Sequence, residues 1–395
     1  MASEFDKNLN ISYVDKDLPV PSNKLILKHC ICSYIVYFLI YIFLCNNPFF
    51  KEYFIEEIRK YYLIAYSCYL IFAPLIYFVF RPKTLHKSHN IEVCNYFKRV
   101  FSQIFSKDTL IKRDYKSIYE CFKPSYLEKQ SLMLTFIKVF FGTLMIKFLI
   151  NNINSVTEIL NSNKYLLDDF KVYFGFQYTK DIILDNRIVF YNLALSIFFM
   201  VDVLFFTFGY LTECFIFKNK IRTVDTSLAG IFFCLMCYPP FNIASTKFAG
   251  WNQNDQPVDL GGGLGTFIWI IQIAALLFLF IYTAASVALG TKASNLTNRG
   301  TVSRFPYNII RHPAYLAKSS FWILTTIPVV ITMFQNNSGN IWNFIFTLLL
   351  IVITSTFWVF IYYMRAITEE RHLMQDPEYQ EYAKRVRWRF IPYVI

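Results

Sequence analysis

Eight long runs of apolar residues dominate the sequence and restrict the folds that it can adopt. They cover residues 25–45, 62–80, 132–150, 188–209, 228–242, 264–289, 320–334 and 341–364. Most of them approach the roughly 20 residues that an α-helix needs to cross the hydrocarbon core of a bilayer. An α-helix satisfies its own backbone hydrogen bonds, which a bilayer cannot do for it. The sequence therefore predicts an all-α, polytopic transmembrane protein with about eight spans.

Two of the runs are short, and they leave the number of spans between six and eight. The run 228–242 contains Pro239 and Pro240, and the run 320–334 is interrupted by Pro328. Either segment is compatible with a buried or re-entrant piece. With 55% hydrophobic and only 17% charged residues, the composition excludes an ordinary soluble domain. A polar stretch of residues precedes the first run, so we expect no cleavable signal peptide and insertion from an internal span.

The charges between the runs predict the orientation of the protein. Residues 81–130 are strongly basic, and residues 290–318 contain five Lys and Arg residues but no acid. If all eight runs cross the membrane, the basic loops lie on one side, which the positive-inside rule identifies as the cytosol. Both termini would then be cytosolic. The membrane itself is left open between the inner or plasma membrane and the endoplasmic reticulum.

The chain divides by pattern into three regions. Residues 1–24 form a cytosolic tail, 25–222 a multi-helix membrane region with the basic loop 81–130, and 223–395 a second membrane module. Helical spacing of Ile91, Cys94, Phe97, Phe101 and Ile104, with basic residues between them, predicts a helix lying in the membrane interface. The net charge of +12 is attributed to topology and attraction to anionic headgroups, not to nucleic acid.

Three short patterns are interpreted as structural. Cys234-x-x-Cys237 has redox or zinc spacing without a second pair, His86-x-x-His89 lies in a charged loop without further ligands, and the glycine-rich 261–265 opens a span. We therefore expect no metal site. Asp202 is the clearest acid within an apolar run, and we expect it to pair with a polar neighbour rather than to form a transport pathway.

Two polar segments hold the candidate chemistry. The first polar segment is 290–318 and the second is 364–395; they flank a helical hairpin, so they can meet in space. They contribute Tyr307, Arg311, His312, Tyr315, Arg365, Glu369, Glu370 and His372. Proline after His312 suits the first turn of a helix. Arg365 and Glu369 are four residues apart and share one helical face, either as an ion pair or as two parts of a site.

The pattern RHPxY at Arg311–Tyr315, a hairpin, RAxxEE at Arg365–Glu370 and a tyrosine-rich tail ending near Pro392 resembles a known family. It is that of the isoprenylcysteine carboxyl methyltransferases and related phospholipid methyltransferases. The resemblance covers about residues 265–395, and the strings around 220–242 and 295–300 look like bacterial members with extra N-terminal helices. One departure is Arg304-Phe305-Pro306, where the family usually has a glycine. It bears on local loop shape and substrate choice.

The resemblance implies a cofactor, S-adenosyl-L-methionine, and a set of site residues. Those implied to bind it are Thr301, Val302, Tyr307, His312, Pro313, Ala314, Tyr315 and Glu369. Arg365 would hold the carboxylate of the methyl acceptor, because a guanidinium binds carboxylates bidentately. Methyl transfer to a carboxylate needs alignment and exclusion of water rather than a base. An amine acceptor would need one, for which Glu370 or His372 is the candidate.

The predicted function is methyl transfer to a lipid-like or prenylated small molecule or peptide, with O-methylation favoured over N-methylation. Besides the acceptor, membrane lipids are the expected partners. Two alternatives remain open from the sequence. One is an NADPH-dependent sterol or steroid reductase, which shares an element like RHPxY. The other is a non-enzymatic lipid-binding or transport protein, in which charges within the membrane would mark the pathway.

Overall fold

The computed structural model describes residues 18–105, 119, 122–163, 180–213, 217, 219–242, 262–336 and 341–394. Most of the predicted N-terminal tail, parts of the basic loop 81–130 and Gly261 lie outside these residues. The described chain is almost entirely helical, with two strands of two residues each, β1 (Thr223–Val224) and β2 (Thr297–Asn298). Seven of the described helices are long and apolar enough to cross a membrane. The protein is thus an all-α, multi-pass membrane protein, as predicted.

The chain separates into two compact units. The first comprises Met1–Lys147 with Ile221–Thr226, and the second comprises Phe148–Lys220 with Ser227–Ile395. These units differ from the regions 25–222 and 223–395 drawn from the sequence. The reason is that the helix Lys180–Leu211 packs against the helix Gly262–Leu289 and so belongs with the C-terminal half of the chain.

The first unit is built around helix α1 (Asn23–Asn46). The short helix α2 (Pro48–Tyr53) and the long helix α3 (Glu56–Phe80) follow it, and α1 packs against both. A 3-10 turn, Lys83–Lys87, leads into helix α4 (His89–Ile104), which also packs on α1. Helix α5 (Tyr126–Ser162) belongs to this unit up to Lys147. Ser22 caps α1 by accepting a hydrogen bond from the backbone N–H of Leu25.

Helix α4 is the helix predicted to lie in the membrane interface. Ile91, Val93 and Val100 are buried within the first unit, whereas Phe97 and Phe101 are exposed. An amphipathic helix with exposed aromatic residues on one face is the kind of element that lies in a membrane interface. The helix forms where it was predicted, and its place at the membrane surface stays a prediction.

The second unit contains four of the long helices: the part of α6 (Lys180–Leu211) from Arg187 onward, α8 (Gly262–Leu289), α9 (Pro313–Asn336) and α10 (Ile341–Leu373). Helix α8 packs between α6 and α9, and α9 packs on α10. The core between α6, α8 and α9 includes Ala275, Leu279, Tyr282, Ala317 and Phe321. Outward-pointing residues such as Leu277 and Phe346 are more than half exposed, as apolar side chains in contact with lipid must be.

The fifth apolar run differs from the others. Only helix α7 (Leu228–Leu235) forms within it, followed by turns around Pro239 and Pro240. Proline removes a backbone donor and restricts the preceding residue, which ends a helix. Seven spanning helices in the described residues fall within the predicted six to eight. An odd number would separate the termini unless segment 228–242 also crosses, so the cytosolic orientation stays a prediction.

The second unit ends in a short amphipathic helix, α11 (Pro377–Arg385). Asp376 caps it by accepting from the backbone N–H of Glu378, and Pro377 occupies its first turn. Tyr379 and Tyr382 on its buried face pack against Tyr307 and Leu373. This packing brings the C-terminal tail onto the first polar segment.

Candidate functional site

A cavity lies at the ends of α9 and α10 in the second unit. Its empty volume is about 1120 Å³, including its open mouth. The loop 292–302, the first turns of α9, the last turns of α10 and the buried face of α11 line it. These elements come from both polar segments.

Backbone hydrogen bonds join the two polar segments beside the cavity. The N–H of Arg311 donates to the carbonyl of Trp388 at 2.9 Å, and the N–H of His312 donates to the carbonyl of Arg389 at 2.9 Å. From α11, the hydroxyl of Tyr382 donates to the carbonyl of Tyr307 in the first polar segment at 2.8 Å. The predicted meeting of residues 290–318 with residues 364–395 is therefore confirmed.

His312 sits at the start of α9, immediately before Pro313. Its ring is buried between those of Tyr315 and Phe390, with centroids 5.7 and 5.6 Å away. Burial, together with the nearby guanidiniums of Arg311 and Arg389, lowers the pKa of His312 to about 3. The imidazole is therefore neutral. Its buried Nε2 has no hydrogen-bond partner among the residues that the structure describes.

Arg365 and Glu369 do not pair with each other, although they are one helical turn apart on α10. The carboxylate of Glu369 accepts a hydrogen bond from the hydroxyl of Tyr315 at 2.5 Å. Arg365 donates to the side-chain oxygen of Asn295. Its guanidinium carbon lies 5.3 Å from the ring centroid of Tyr315 and 5.6 Å from that of Tyr238. Both charged groups line the cavity, so the interpretation as an intrahelical ion pair does not hold.

Asn295 holds the Arg365 side chain in place. Its amide nitrogen donates to the hydroxyl of Tyr238 at 2.9 Å, and its backbone N–H donates to the hydroxyl of Tyr210 at 2.8 Å. Burial raises the pKa of Tyr238 to about 12. Its ring is consequently neutral, and a neutral aromatic face is a suitable partner for a guanidinium.

Glu370, the next residue along α10, has a different environment. It is buried, and its two oxygens form ion pairs with Arg311 and with Nε of Arg389, the latter at 2.6 Å. It does not line the cavity. The geometry therefore makes Glu370 a residue that ties α10 to the first polar segment and to the tail. The geometry does not favour Glu370 as a general base. It does not favour His372 in that role either, because His372 is also buried away from the cavity.

Arg299 anchors the loop that forms the cavity rim. Its guanidinium donates to the carbonyls of Gly209 and Asn219, both at 2.7 Å, and to the hydroxyl of Ser294 at 2.9 Å. Burial lowers the pKa of this guanidinium. A Cβ at Gly209 would lie 1.9 Å from the carbonyl oxygen of Ala293, so only glycine allows the loop to approach α6 this closely. Thr301 and Val302, two and three residues after Arg299, line the cavity.

A second group of charges lies at the end of the cavity that is formed by α6, α8 and α9. Asp202 accepts from the hydroxyl of Tyr282 at 2.8 Å and from the hydroxyl of Ser286. The predicted pairing of Asp202 with polar neighbours is thus confirmed. The ammonium of Lys318 lies 5.0 Å from the ring centroid of Tyr282 and lines the cavity.

Eight of the ten site residues named from the sequence line this one cavity. They are Thr301, Val302, Tyr307, His312, Ala314, Tyr315, Arg365 and Glu369. Pro313 begins α9 beside them, and Glu370 lies behind them in its ion pairs. Sequence reasoning did not assign Asn295, Tyr238 or Lys318 to the site. Their only sequence signal is a polar group next to or within an apolar run.

Tyrosine is the residue type that contributes most to the cavity wall. Seven tyrosines line it: Tyr238, Tyr282, Tyr307, Tyr315, Tyr362, Tyr379 and Tyr382. Burial raises the pKa of Tyr307 and of Tyr379 above that of a free phenol, so neither titrates near neutral pH. The cavity thus offers neutral aromatic faces beside a few fixed charges.

Comparisons with protein-family models, with curated proteins and with solved structures gave no match for this chain. The site must therefore be interpreted from its own geometry and chemistry.

Proposed function

We propose that the protein is an integral-membrane methyltransferase that moves a methyl group from S-adenosylmethionine to a carboxylate on a lipid-like or prenylated acceptor. The observation that carries the proposal is the placement of Arg365 and Glu369. One helical turn apart, they avoid each other and both face the cavity that also receives His312 and Tyr315. A stretch with only a structural role would satisfy these charges by pairing them.

The residues of the cavity fit S-adenosylmethionine. Glu369 supplies a carboxylate that suits the ammonium group and ribose hydroxyls of the cofactor. Tyrosine faces such as those of Tyr307 and Tyr315 suit a sulfonium cation, and the neutral imidazole of His312 adds no repelling charge. The rim at Thr301 and Val302 offers backbone groups to the remaining polar atoms.

The chemistry supplied by the bound cofactor is an already activated methyl group. The tasks left to the chain are to hold the acceptor oxygen in line and to exclude water. Arg365 is suited to the first task because its planar fork can hold a carboxylate bidentately. A carboxylate oxygen carries no proton, so its methylation would require none to be removed, and the demethylated cofactor would leave as a neutral thioether. The reaction therefore needs no general base, in agreement with the closed ion pairs of Glu370.

The test is the identity of the cofactor. Detergent-purified protein should be titrated with S-adenosylhomocysteine and, separately, with NADPH while its thermal unfolding is followed. A ligand that binds only the folded state stabilises it by mass action. We expect stabilisation by S-adenosylhomocysteine. Stabilisation by NADPH alone would reject the methyltransferase and support the reductase.

We infer further that the cavity opens to the cytosol. The first polar segment carries five basic residues and no acid, which is typical of cytosolic loops. A cysteine at Ser303, an exposed position in this segment, should react with an impermeant thiol reagent only from the cytosolic face of sealed vesicles. Labelling above the wild-type background from the opposite face would contradict this orientation. The experiment applies equally to the plasma membrane and to the endoplasmic reticulum.

A further inference from the structure

The ammonium of Lys318 is in an unusual position. Lys318 is the sixth residue of α9, about one and a half turns inside a helix that is apolar enough to span a membrane. It lines the cavity, and among the described residues its ammonium meets no hydrogen-bond acceptor. Its nearest defined contact is the face of the Tyr282 ring, 5.0 Å away. A charge at such a place is costly unless something binds it, so it marks a functional site.

Asp202 does not act as a direct partner for this ammonium. Both of its oxygens accept hydrogen bonds from hydroxyls, one from Tyr282 and one from Ser286. No ion pair joins it to Lys318 in the described part of the chain, although the two charges interact at longer range. Asp202 thus lowers the cost of the ammonium without occupying its N–H groups.

Arg365, on the neighbouring helix α10, likewise has no acidic partner among the described residues. It donates to a neutral amide, Asn295, stacks on tyrosine rings, and has no carboxylate within ion-pair distance among the described residues. Lys318 and Arg365 are near enough to repel each other. Five basic side chains and one acid, Glu369, line the cavity as a whole. An anionic ligand would bind to both cations and remove their repulsion.

We propose that Lys318 and Arg365 form a two-cation subsite for the acidic headgroup of the acceptor, and that Lys318 determines the specificity for an anionic amphiphile. This inference rests on the methyltransferase function proposed above. In this subsite, Arg365 orients the carboxylate that reacts. Lys318, which lies further into the membrane-spanning part of α9, pairs with the negative charge of that headgroup. A neutral or cationic amphiphile of the same chain length would leave both cations unpaired and would be rejected.

The experiment uses the full-length protein in detergent and two probes of equal chain length, oleate and oleyl alcohol. Binding is followed by the shift in thermal unfolding. We expect oleate to stabilise the wild type and oleyl alcohol to have little effect. Lys318→Met keeps the apolar stem and removes the charge, so it should weaken oleate binding about tenfold or more, the size expected for one charge-assisted contact. Lys318→Arg should retain most of the binding.

Lys147→Met is the matched control, because Lys147 also lies on a spanning helix but does not line the cavity. S-adenosylhomocysteine affinity is measured for the same variants and should change by no more than about twofold, which also shows that Lys318→Met is folded. Equal oleate affinity in the wild type and in Lys318→Met would overturn the subsite. It would leave the methyltransferase standing, provided that S-adenosylhomocysteine binds. Failure of S-adenosylhomocysteine to bind the wild type would reject the proposed function instead.

Discussion

Two charged clusters of the second unit both include residues of α10 but differ in how they satisfy their charges. In the closed cluster, Glu370 lies between Arg311 and Arg389, and both of its oxygens are used. In the open cluster, Arg365 and Lys318 line the cavity without a carboxylate partner among the described residues. The comparison separates charges that are paired within the protein from charges that the proposed function assigns to a ligand.

The two clusters are separate because neighbouring residues of α10 point in different directions. Successive residues of an α-helix point about 100° apart, so Glu369 and Glu370 cannot face the same way. Glu369 shares a face with Arg365 and turns to the cavity, where Tyr315 donates to it. Glu370 turns to the buried side, where the tail supplies Arg389. The adjacent residues Glu369 and Glu370 therefore have different environments, and we expect their substitutions to have different effects.

The largest effect is predicted for the closed cluster. Glu370→Gln leaves the guanidiniums of Arg311 and Arg389 without their shared counter-charge. Removing one partner of a buried ion pair costs about 3–5 kcal/mol, and the part-exposed Arg389 places the expected loss near the lower limit. Equilibrium unfolding in detergent with increasing SDS measures this loss. The affinity of the folded fraction for S-adenosylhomocysteine should remain close to that of the wild type.

Glu56→Gln is the matched control for this prediction. Glu56 pairs with Lys60 across one helical turn, and both side chains are largely exposed. Exposed pairs contribute about 0–1 kcal/mol, so this variant should unfold like the wild type. If Glu370→Gln also unfolds like the wild type, the closed cluster does not have the structural role assigned to it.

An intermediate effect is predicted for the open side of α10, and it concerns binding. Glu369→Gln should weaken the affinity for S-adenosylhomocysteine about tenfold, because a charge-assisted contact becomes a neutral one. Arg365→Lys should leave this affinity within about twofold while reducing turnover, because lysine keeps the charge but loses the planar fork. Isothermal titration of both variants and the wild type makes the comparison.

Glu381→Gln, an exposed substitution on α11 away from the cavity, controls for a general change of charge. Equal losses for Glu369→Gln and Arg365→Lys would place Arg365 in the cofactor site as well. Unchanged affinity in both would remove α10 from the cofactor site and break the distinction between its two faces.

Local signals in the sequence predicted most of the fold. Each of seven apolar runs became a long helix, because a run of this length has few other ways to satisfy its backbone in a bilayer. The run 228–242 did not, and Pro239 and Pro240 are the local reason. Pro313 began α9 immediately after His312, as its fixed backbone angle allows.

The site was predictable to the extent that it depends on order along the chain. The motif residues around His312 and Arg365 met because the hairpin between them returns the chain to the same end. The partners of those residues were not predictable. Asn295 is 70 positions from Arg365, and Arg389 approaches Glu370 only after α11 has folded back. Helical spacing allowed an ion pair between Arg365 and Glu369, but contacts from other segments determined both partners instead.

The smallest effect is predicted for His312, and it concerns the dependence of stability on pH. Burial depresses the pKa of His312 to about 3, below the value near 6.5 of a histidine in the unfolded chain. Between these values the unfolded chain binds a proton that the folded protein does not, so stability falls as the pH falls below about 6.5. Linkage gives a loss of about 1 kcal/mol between about pH 7 and about pH 5.5. His312→Asn should lack this contribution, whatever its stability at neutral pH, because asparagine does not titrate.

The measurement is SDS-induced unfolding of both proteins at the two pH values. The difference between their pH dependences isolates His312 from the other titrating groups. Equal pH dependence would mean that the pKa of His312 in the folded protein is close to that in the unfolded chain, which would contradict the burial of a neutral imidazole in the cavity wall.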